Sequence, residues 1–240
     1  MTDSLNRRAL ITGASSGIGR ATALAFAKSG INLVLVSRSE PALQSVATAA
    51  REVGVTAEVH SLDLSELSLV KERMGAIVAD QTIDILVNNA GMGYTGTLMD
   101  TPLADWQQVI DLNLTSAFQC IQAILPGMRS RQGGTIINVA SIASHQVFPG
   151  WGAYCVSKFG LLALSKTLAL EERPNGIRVT AVCPGSVNTP LWDTETVQAD
   201  FDRSTMLTPE VVAQSILHAA LLPDSAVIEE LILMPNAGTF

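Results

Sequence analysis

Ala9-Leu-Ile-Thr-Gly-Ala-Ser-Ser-Gly-Ile-Gly19 is the stretch on which the fold turns. A short apolar run ends in three glycines spaced G-x-x-x-G-x-G, and good helix formers follow from Ile18 to Ser29. The reading is strand, tight turn, helix. Such a turn needs glycine where the backbone bends sharply or must approach a pyrophosphate. It also needs a helix start whose unpaired N–H groups face the anion. Gly13, Ser15, Ser16, Gly17, Ile18 and Gly19 are therefore candidate phosphate-binding residues. The turn is not a P-loop, because Gly19-Arg20-Ala21 stands where Gly-Lys-Ser/Thr would be required. Three glycines alone could mark no more than a tight connection. The flanking strand and helix are what point to a dinucleotide.

Outward from this turn the pattern repeats. Ala9–Ile11, Leu33–Val36, Ala57–Leu62, Ile83–Val87, Thr135–Val139, Val179–Val182 and Leu231–Met234 read as seven strands. Most are continuous apolar runs, as expected for strands buried on both faces of a parallel sheet. Between them Ile18–Ser29, Pro41–Val53, Leu67–Ala79, Leu103–Met128, Tyr154–Glu172 and Pro209–Leu222 read as helices. Gly30 and Gly54 stand as C-terminal stops and Thr208 as an N-cap. Strict alternation implies an α/β fold in one domain over residues 1–240: a doubly wound, seven-stranded parallel sheet with helices on both faces. The one long irregular segment, about 185–207, is polar and rich in Thr and Asp. It follows a strand, where ligand crevices form, and reads as a substrate loop.

Composition narrows the function. The 240 residues are 48% hydrophobic and 15% charged, with a net charge of −7. That excludes disorder and argues against a general nucleic-acid binder on charge grounds. Three scattered cysteines, Cys120, Cys155 and Cys183, and three histidines offer no zinc spacing, so no metal is expected. Free thiols, no signal-like N-terminus and no apolar run of membrane-span length set the expectation of a cytoplasmic protein without a membrane partner. His145 reads as a loop histidine with no evident partner.

The tip of the second strand speaks to the cofactor. Val36-Ser37-Arg38-Ser39 has no carboxylate for ribose hydroxyls, whereas Ser37 and Arg38 suit a 2′-phosphate. The expectation is NADP(H), with a merely solvated Arg38 as the alternative. Tyr154-Cys155-Val156-Ser157-Lys158 puts a phenol and an ammonium one helical turn apart. A free Tyr titrates near pH 10, and a neighbouring ammonium would favour its phenolate. Alone, this spacing is a common accident.

It does not stand alone. Thr12–Gly19, Asn88-Asn89-Ala90-Gly91, Asn113, Ser141, Tyr154 with Lys158, and Pro184-Gly185 occur in the order and spacing of the short-chain dehydrogenase/reductase family, which the whole chain resembles. The resemblance implies a Rossmann fold. It also implies hydride transfer between NADP(H) and a carbonyl or secondary alcohol. It assigns Ser141 to the substrate carbonyl and Tyr154 to proton transfer. Lys158 would hold the nicotinamide ribose and lower the Tyr pKa, and Asn113 would anchor a proton-relaying water. By the same resemblance Asp63 and Leu64 meet adenine, and Asn89, Ala90 and Gly91 line the adenosine side. Asn88 would pin the sheet. Pro184, Gly185, Val187 and Thr189 contact the nicotinamide carboxamide and phosphate. Family members form homodimers or homotetramers through two long helices. The apolar stripes Ala117, Phe118, Ile121, Leu125 and Leu161, Leu164, Leu168 would permit that here, the alternative being that part of each stripe simply packs on the sheet.

The substrate pocket is expected from Ser141–Trp151, Met92–Thr97 and the 185–207 loop. Val147, Phe148, Trp151, Leu191 and Trp192 suit a hydrophobic carbonyl compound. Two alternatives remain. One is 3-oxoacyl-[acyl-carrier-protein] reduction, with Arg129, Arg131 and Arg173 as a docking patch, although the Ala226–Phe240 ending departs from such reductases. The other is a non-catalytic NADP(H) sensor.

Overall fold

The computed structural model describes residues 7–199 and 202–238. Asp200 and Phe201 of the predicted loop, and both ends of the chain, lie outside them. Seven strands form one sheet: β1 (Arg8–Thr12), β2 (Asn32–Ser37), β3 (Ala57–Ser61), β4 (Ile85–Asn88), β5 (Gly134–Val139), β6 (Ile177–Pro184) and β7 (Glu230–Leu233). Their order is β3-β2-β1-β4-β5-β6-β7, and every pairing is parallel. The chain winds outward from β1 to β3, then returns to build β4 to β7 on the other side. The reversal between β1 and β4 opens a crevice at the strand C-termini, where ligands bind in sheets of this kind.

The helices are α1 (Gly17–Lys28), α2 (Glu40–Glu52), α3 (Leu67–Val78), α4 (Leu103–Ile110), α5 (Ser116–Arg131), α6 (Gly152–Glu172) and α7 (Pro209–Ala220). Successive residues of β1 feed opposite faces, which explains its unbroken apolar run. Ile11 joins Phe26, Leu33, Leu35 and Ile216 in one core layer. Leu10 joins Val34, Leu86, Ile136, Met74 and Ile124 in the other. Phe26 has no exposed surface, so its truncation to Ala would cost about 3–5 kcal/mol. Thr208 caps α7 as its sequence implies, accepting from the Val211 N–H at 3.4 Å.

Two expectations need correction. Leu103–Met128 is helical throughout but not α-helical throughout. A π-helical segment, Asp111–Thr115, separates α4 from α5. Side-chain periodicity cannot reveal it, because one wide turn adds a residue without ending the apolar pattern. The helix stripes named for assembly are also mostly internal. Ala117, Ile121, Leu161 and Leu168 are buried in the core, and Leu125 and Leu164 pack against it. The apolar groups that α5 and α6 leave exposed are Phe118, Val156, Phe159 and Leu170.

Residues Gly152–Asn175 are long and apolar enough, by length and composition, to cross a membrane. Here α6 lies on the sheet, with Ser157, Lys158, Ser165 and Glu172 buried along it. Those polar groups need protein partners and would be costly in lipid.

Candidate active site

The crevice is a cleft of about 910 Å³ that reaches from the α1 turn to the 185–207 loop. At one end Gly13 turns the chain at φ +64, a conformation that favours glycine. Gly19 sits directly behind it: a Cβ there would stand 2.2 Å from the Gly13 carbonyl oxygen. The N-terminus of α1 makes no side-chain cap bond, so its first amides are available to an anion.

Thr12 ties this turn to β4. Its hydroxyl accepts from the Asn89 and Ala90 amides at 3.0 and 3.1 Å and reaches the Val87 carbonyl at 3.4 Å. The Asn89 side chain donates back to the Thr12 and Gly13 carbonyls at 3.1 and 3.3 Å. Beneath them the Asn88 amide donates to Asn138 at 2.9 Å, and Asn138 donates to Ser165 at 2.8 Å. This buried chain crosses from β4 through β5 to α6. Asn138 and Ser165 carried no signal in the sequence, because their partners lie 27 to 50 residues away.

Ser15 and Ser37 bond hydroxyl to hydroxyl at 2.8 Å. Arg38, beside them, is exposed, lines the cleft and forms no ion pair among the described residues. Asp63 lines the same end. Its Oδ1 accepts from both the amide and the hydroxyl of Ser65, leaving Oδ2 for a donor such as an exocyclic amine. Leu64, Ala90, Gly91, Pro184, Gly185, Val187 and Thr189 also line the cleft. Gly19 and Asn113 do not; each acts from behind the wall.

At the other end Ser141, Tyr154 and Lys158 converge. Ser141 follows β5 and accepts from the Ala143 amide at 3.1 Å. It also hydrogen-bonds Tyr154. The Lys158 ammonium lies 5.7 Å from the centre of the Tyr154 ring and donates to the Val139 carbonyl at 2.9 Å. Burial pushes the Tyr154 phenol above its ordinary value, opposed by the Ser141 bond. Burial lowers Lys158 from 10.5 to about 8. The expected downward shift of Tyr154 is therefore not a property of the polypeptide alone. Without a cationic ring beside it, desolvation outweighs the Ser141 hydrogen bond.

Asn113 occupies the π segment. Its amide donates to the Met92 carbonyl at 2.9 Å and to Ser157 at 3.0 Å, while its oxygen accepts from the Met92 amide at 2.8 Å. The side chain is thus spent on protein partners. Any water at this residue must therefore meet its main chain.

Phe148, Trp151, Leu191 and Trp192 line the remaining wall, but Val147 points away from it and is 72% exposed. Trp151 meets Tyr154 and Trp192 edge-on, with ring centres 5.5 and 5.8 Å apart. The 185–207 loop is latched across the cleft. Thr95 N–H donates to Thr196 O at 2.9 Å, and the Thr196 hydroxyl donates to Gly93 O at 2.8 Å.

His145 is not unpartnered as its sequence implied. Its Nε2 lies 2.6 Å from Glu230, which also takes the Lys166 ammonium at 2.8 Å. Cys183 joins this group within 4.8 Å, its thiol pushed up by burial to about 11. Burial likewise pushes Cys120 up to about 12, so neither thiol is poised to react at neutral pH.

The arginine patch near the mouth is not formed. Arg129 pairs with Glu172, Arg131 donates to Ile83 O, and Arg173 pairs with Glu229. In a parallel sheet each crossover helix runs back against its strands, so the C-terminal ends of α5 and α6, where these arginines sit, lie at the opposite end of the sheet from the cleft.

A glycine turn at a topological switch point, joined in one cleft to a Ser/Tyr/Lys cluster, defines a nucleotide-dependent oxidoreductase site. The short chain dehydrogenase family model matches residues 7–200, and the chain belongs to that family. It is 36% identical over 237 residues to a sepiapterin reductase of Chlorobaculum tepidum, covering 95% of this chain and 96% of the relative. It is 35% identical over 218 residues to a 3-oxoacyl-[acyl-carrier-protein] reductase of Thermotoga maritima, covering 88% and 89%. Among solved structures it resembles an alcohol dehydrogenase of Thermococcus sibiricus complexed with 5-hydroxy-NADP. The TM-score is 0.87 at 29% identity, covering 96% of this chain and 97% of that one.

Proposed function

We propose that the protein is an NADP(H)-dependent reductase of a small hydrophobic carbonyl compound, reversible toward the secondary alcohol. The observation that carries this reading is the meeting of Ser141, Tyr154 and Lys158 in the cleft that Arg38 and the α1 turn share. The residues fit the cofactor. The glycine cradle and the open α1 terminus would hold the pyrophosphate, with Ser15, Ser16, Gly17 and Ile18 around it. Ser37 and Arg38 would hold the 2′-phosphate. Asp63, Leu64, Asn89, Ala90 and Gly91 would hold the adenosine. Pro184, Gly185, Val187 and Thr189 would hold the nicotinamide side, with Tyr154 and Lys158 at its ribose. When bound, the cofactor supplies or accepts the hydride.

In this reading Ser141 donates to the substrate oxygen and fixes it beside the phenol. Tyr154, kept protonated by burial, gives its proton to the developing alkoxide. Lys158 favours the resulting phenolate by its charge, and a water at the Asn113 main chain returns a proton from solvent. One domain over residues 1–240 serves both ligands. The exposed Phe118, Val156, Phe159 and Leu170 support a homodimer or homotetramer. Buried free thiols agree with a reducing cytoplasm.

Acyl-carrier reduction is the second reading. The Thermotoga relative favours it, and the dispersed arginines weigh against it. NADPH oxidation over a panel of an acetoacetyl thioester, a hydrophobic diketone, an aromatic aldehyde and a short semialdehyde separates the two. A ketone preference supports the first reading and a thioester preference the second. Tight NADPH binding without turnover would support a sensor.

A further inference from the structure

The substrate end of the cleft carries a charge pattern that its apolar lining conceals. Among the described residues, the cations lining the cleft are Arg38 and Lys158. Arg38 stands at the adenosine end with Ser37 and Asp63. Lys158 is buried and held by the Val139 carbonyl. Around the aromatic wall the charged groups are instead carboxylates, Asp193 and Glu195, which flank Trp192 and Thr194 on the latched loop. Arg203 meets Asp193 at 2.7 and 3.2 Å and cancels its charge. Glu195 is exposed and has no ion pair among the described residues.

With a neutral nicotinamide ring in place, an entering anion would leave water for an aromatic wall that offers no cation among the described residues and one exposed carboxylate, in a protein of net charge −7. A flat neutral ring meets the opposite conditions. Trp151 and Trp192 present edge-on aromatic surfaces next to Tyr154, and the Trp192 ring N–H is already satisfied by the Val187 carbonyl at 2.8 Å. Trp192 therefore demands no polar group from the guest.

We propose that this site selects uncharged, ring-bearing carbonyl compounds and turns away carboxylates and other anions, with Trp151 and Trp192 as the ring platform and Glu195 as the repelling group. The proposal rests on the reductase reading for the location of the carbonyl, and its test does not depend on turnover.

The experiment is isothermal titration calorimetry of the protein saturated with 1,4,5,6-tetrahydro-NADP, whose neutral ring cannot give hydride, using ethyl benzoylformate and benzoylformate. These share a ring and a ketone and differ in one charge and an ethyl group, so the Glu195→Lys arm is the one that reads charge alone. Ethyl pyruvate serves as the neutral compound without a ring. The expected result is that the aromatic ester binds about tenfold or more tightly than either the acid or ethyl pyruvate. Glu195→Lys should narrow the ester-to-acid gap, and Trp192→Ala should narrow the gap between the two esters. Acid binding as tight as ester binding would overturn the proposal, as would no binding of the aromatic ester. An unchanged gap in Glu195→Lys would overturn the role given to Glu195. Ester binding without its reduction by NADPH would support the selectivity and contradict the reductase reading.

Discussion

The two ends of the cleft are built by different means. The cofactor end is assembled by contiguous sequence: one strand, one turn and one helix start place Gly13 to Gly19, and the tips of β2 and β3 add Arg38 and Asp63. Its ligand groups include backbone amides held by the sheet itself. The substrate end is assembled by loops that meet across roughly a hundred residues, as in the contacts of Thr95 and Gly93 with Thr196. A rigid end can serve many chemistries, while a loop-built end determines which molecule is turned over. Tyr154 and Lys158 stand at the seam, on a helix that the Asn88–Asn138–Ser165 chain fixes to the sheet.

The strongest break in this picture would come at the seam. Tyr154→Phe should lower kcat for carbonyl reduction by about 10²–10⁴-fold, with NADPH binding kept. A steady-state assay with a parallel NADPH fluorescence titration checks both. Retained turnover would remove Tyr154 as the proton donor.

At the cofactor end, Arg38→Asp should weaken NADPH by roughly 10–100-fold, from the loss of a charge-assisted bond and the added repulsion. NADH affinity should hardly change. Titrating both nucleotides decides this, and an unaltered NADPH-to-NADH ratio would return Arg38 to the status of a solvated side chain.

The seam also sets a pH limit. Burial depresses Lys158 to about 8, so its charge is present below that pH and lost as pH rises through it. The account expects kcat/KM for reduction to be level below about pH 8 and to fall above it by up to about tenfold per unit. In Lys158→Arg, whose guanidinium stays charged, the falling limb should vanish even if the plateau is lower. An identical limb in that variant would assign it to another group.

The smallest effect should come from the latch. Thr196→Val removes the 2.8 Å bond to Gly93 and should raise KM for the carbonyl by roughly 2–10-fold. NADPH affinity should stay the same. A matching loss of NADPH affinity would show that the two ends are not separable.

The same contrast explains what the sequence disclosed. The strands were legible to within about two residues, and in the five inner ones burial on both faces leaves continuous apolar runs. The glycine turn and the Tyr154/Lys158 pair were legible because their spacing is local. The break at Asp111–Thr115 was not, since a π turn preserves the apolar pattern while changing the backbone. The burial of the α5 and α6 stripes was hidden too, because both an interface and a sheet demand apolar residues at the same spacing. The partner of His145 stands 85 residues onward, at Glu230, and the arginines could not be assigned to an end of the sheet before the helix directions were known. Charge at the substrate end became readable only when the loop was seen to carry Asp193 and Glu195 beside the Trp151 and Trp192 rings.

The most direct measurement is the rate of NADPH oxidation by the wild-type protein with a hydrophobic aromatic ketone, with the alcohol product quantified and NADH and Tyr154→Phe run alongside. The account predicts one alcohol formed per NADPH consumed, a clear preference over NADH, and near-silence in the variant. Tight NADPH binding with no alcohol from any carbonyl offered, or equal rates in Tyr154→Phe, would contradict it.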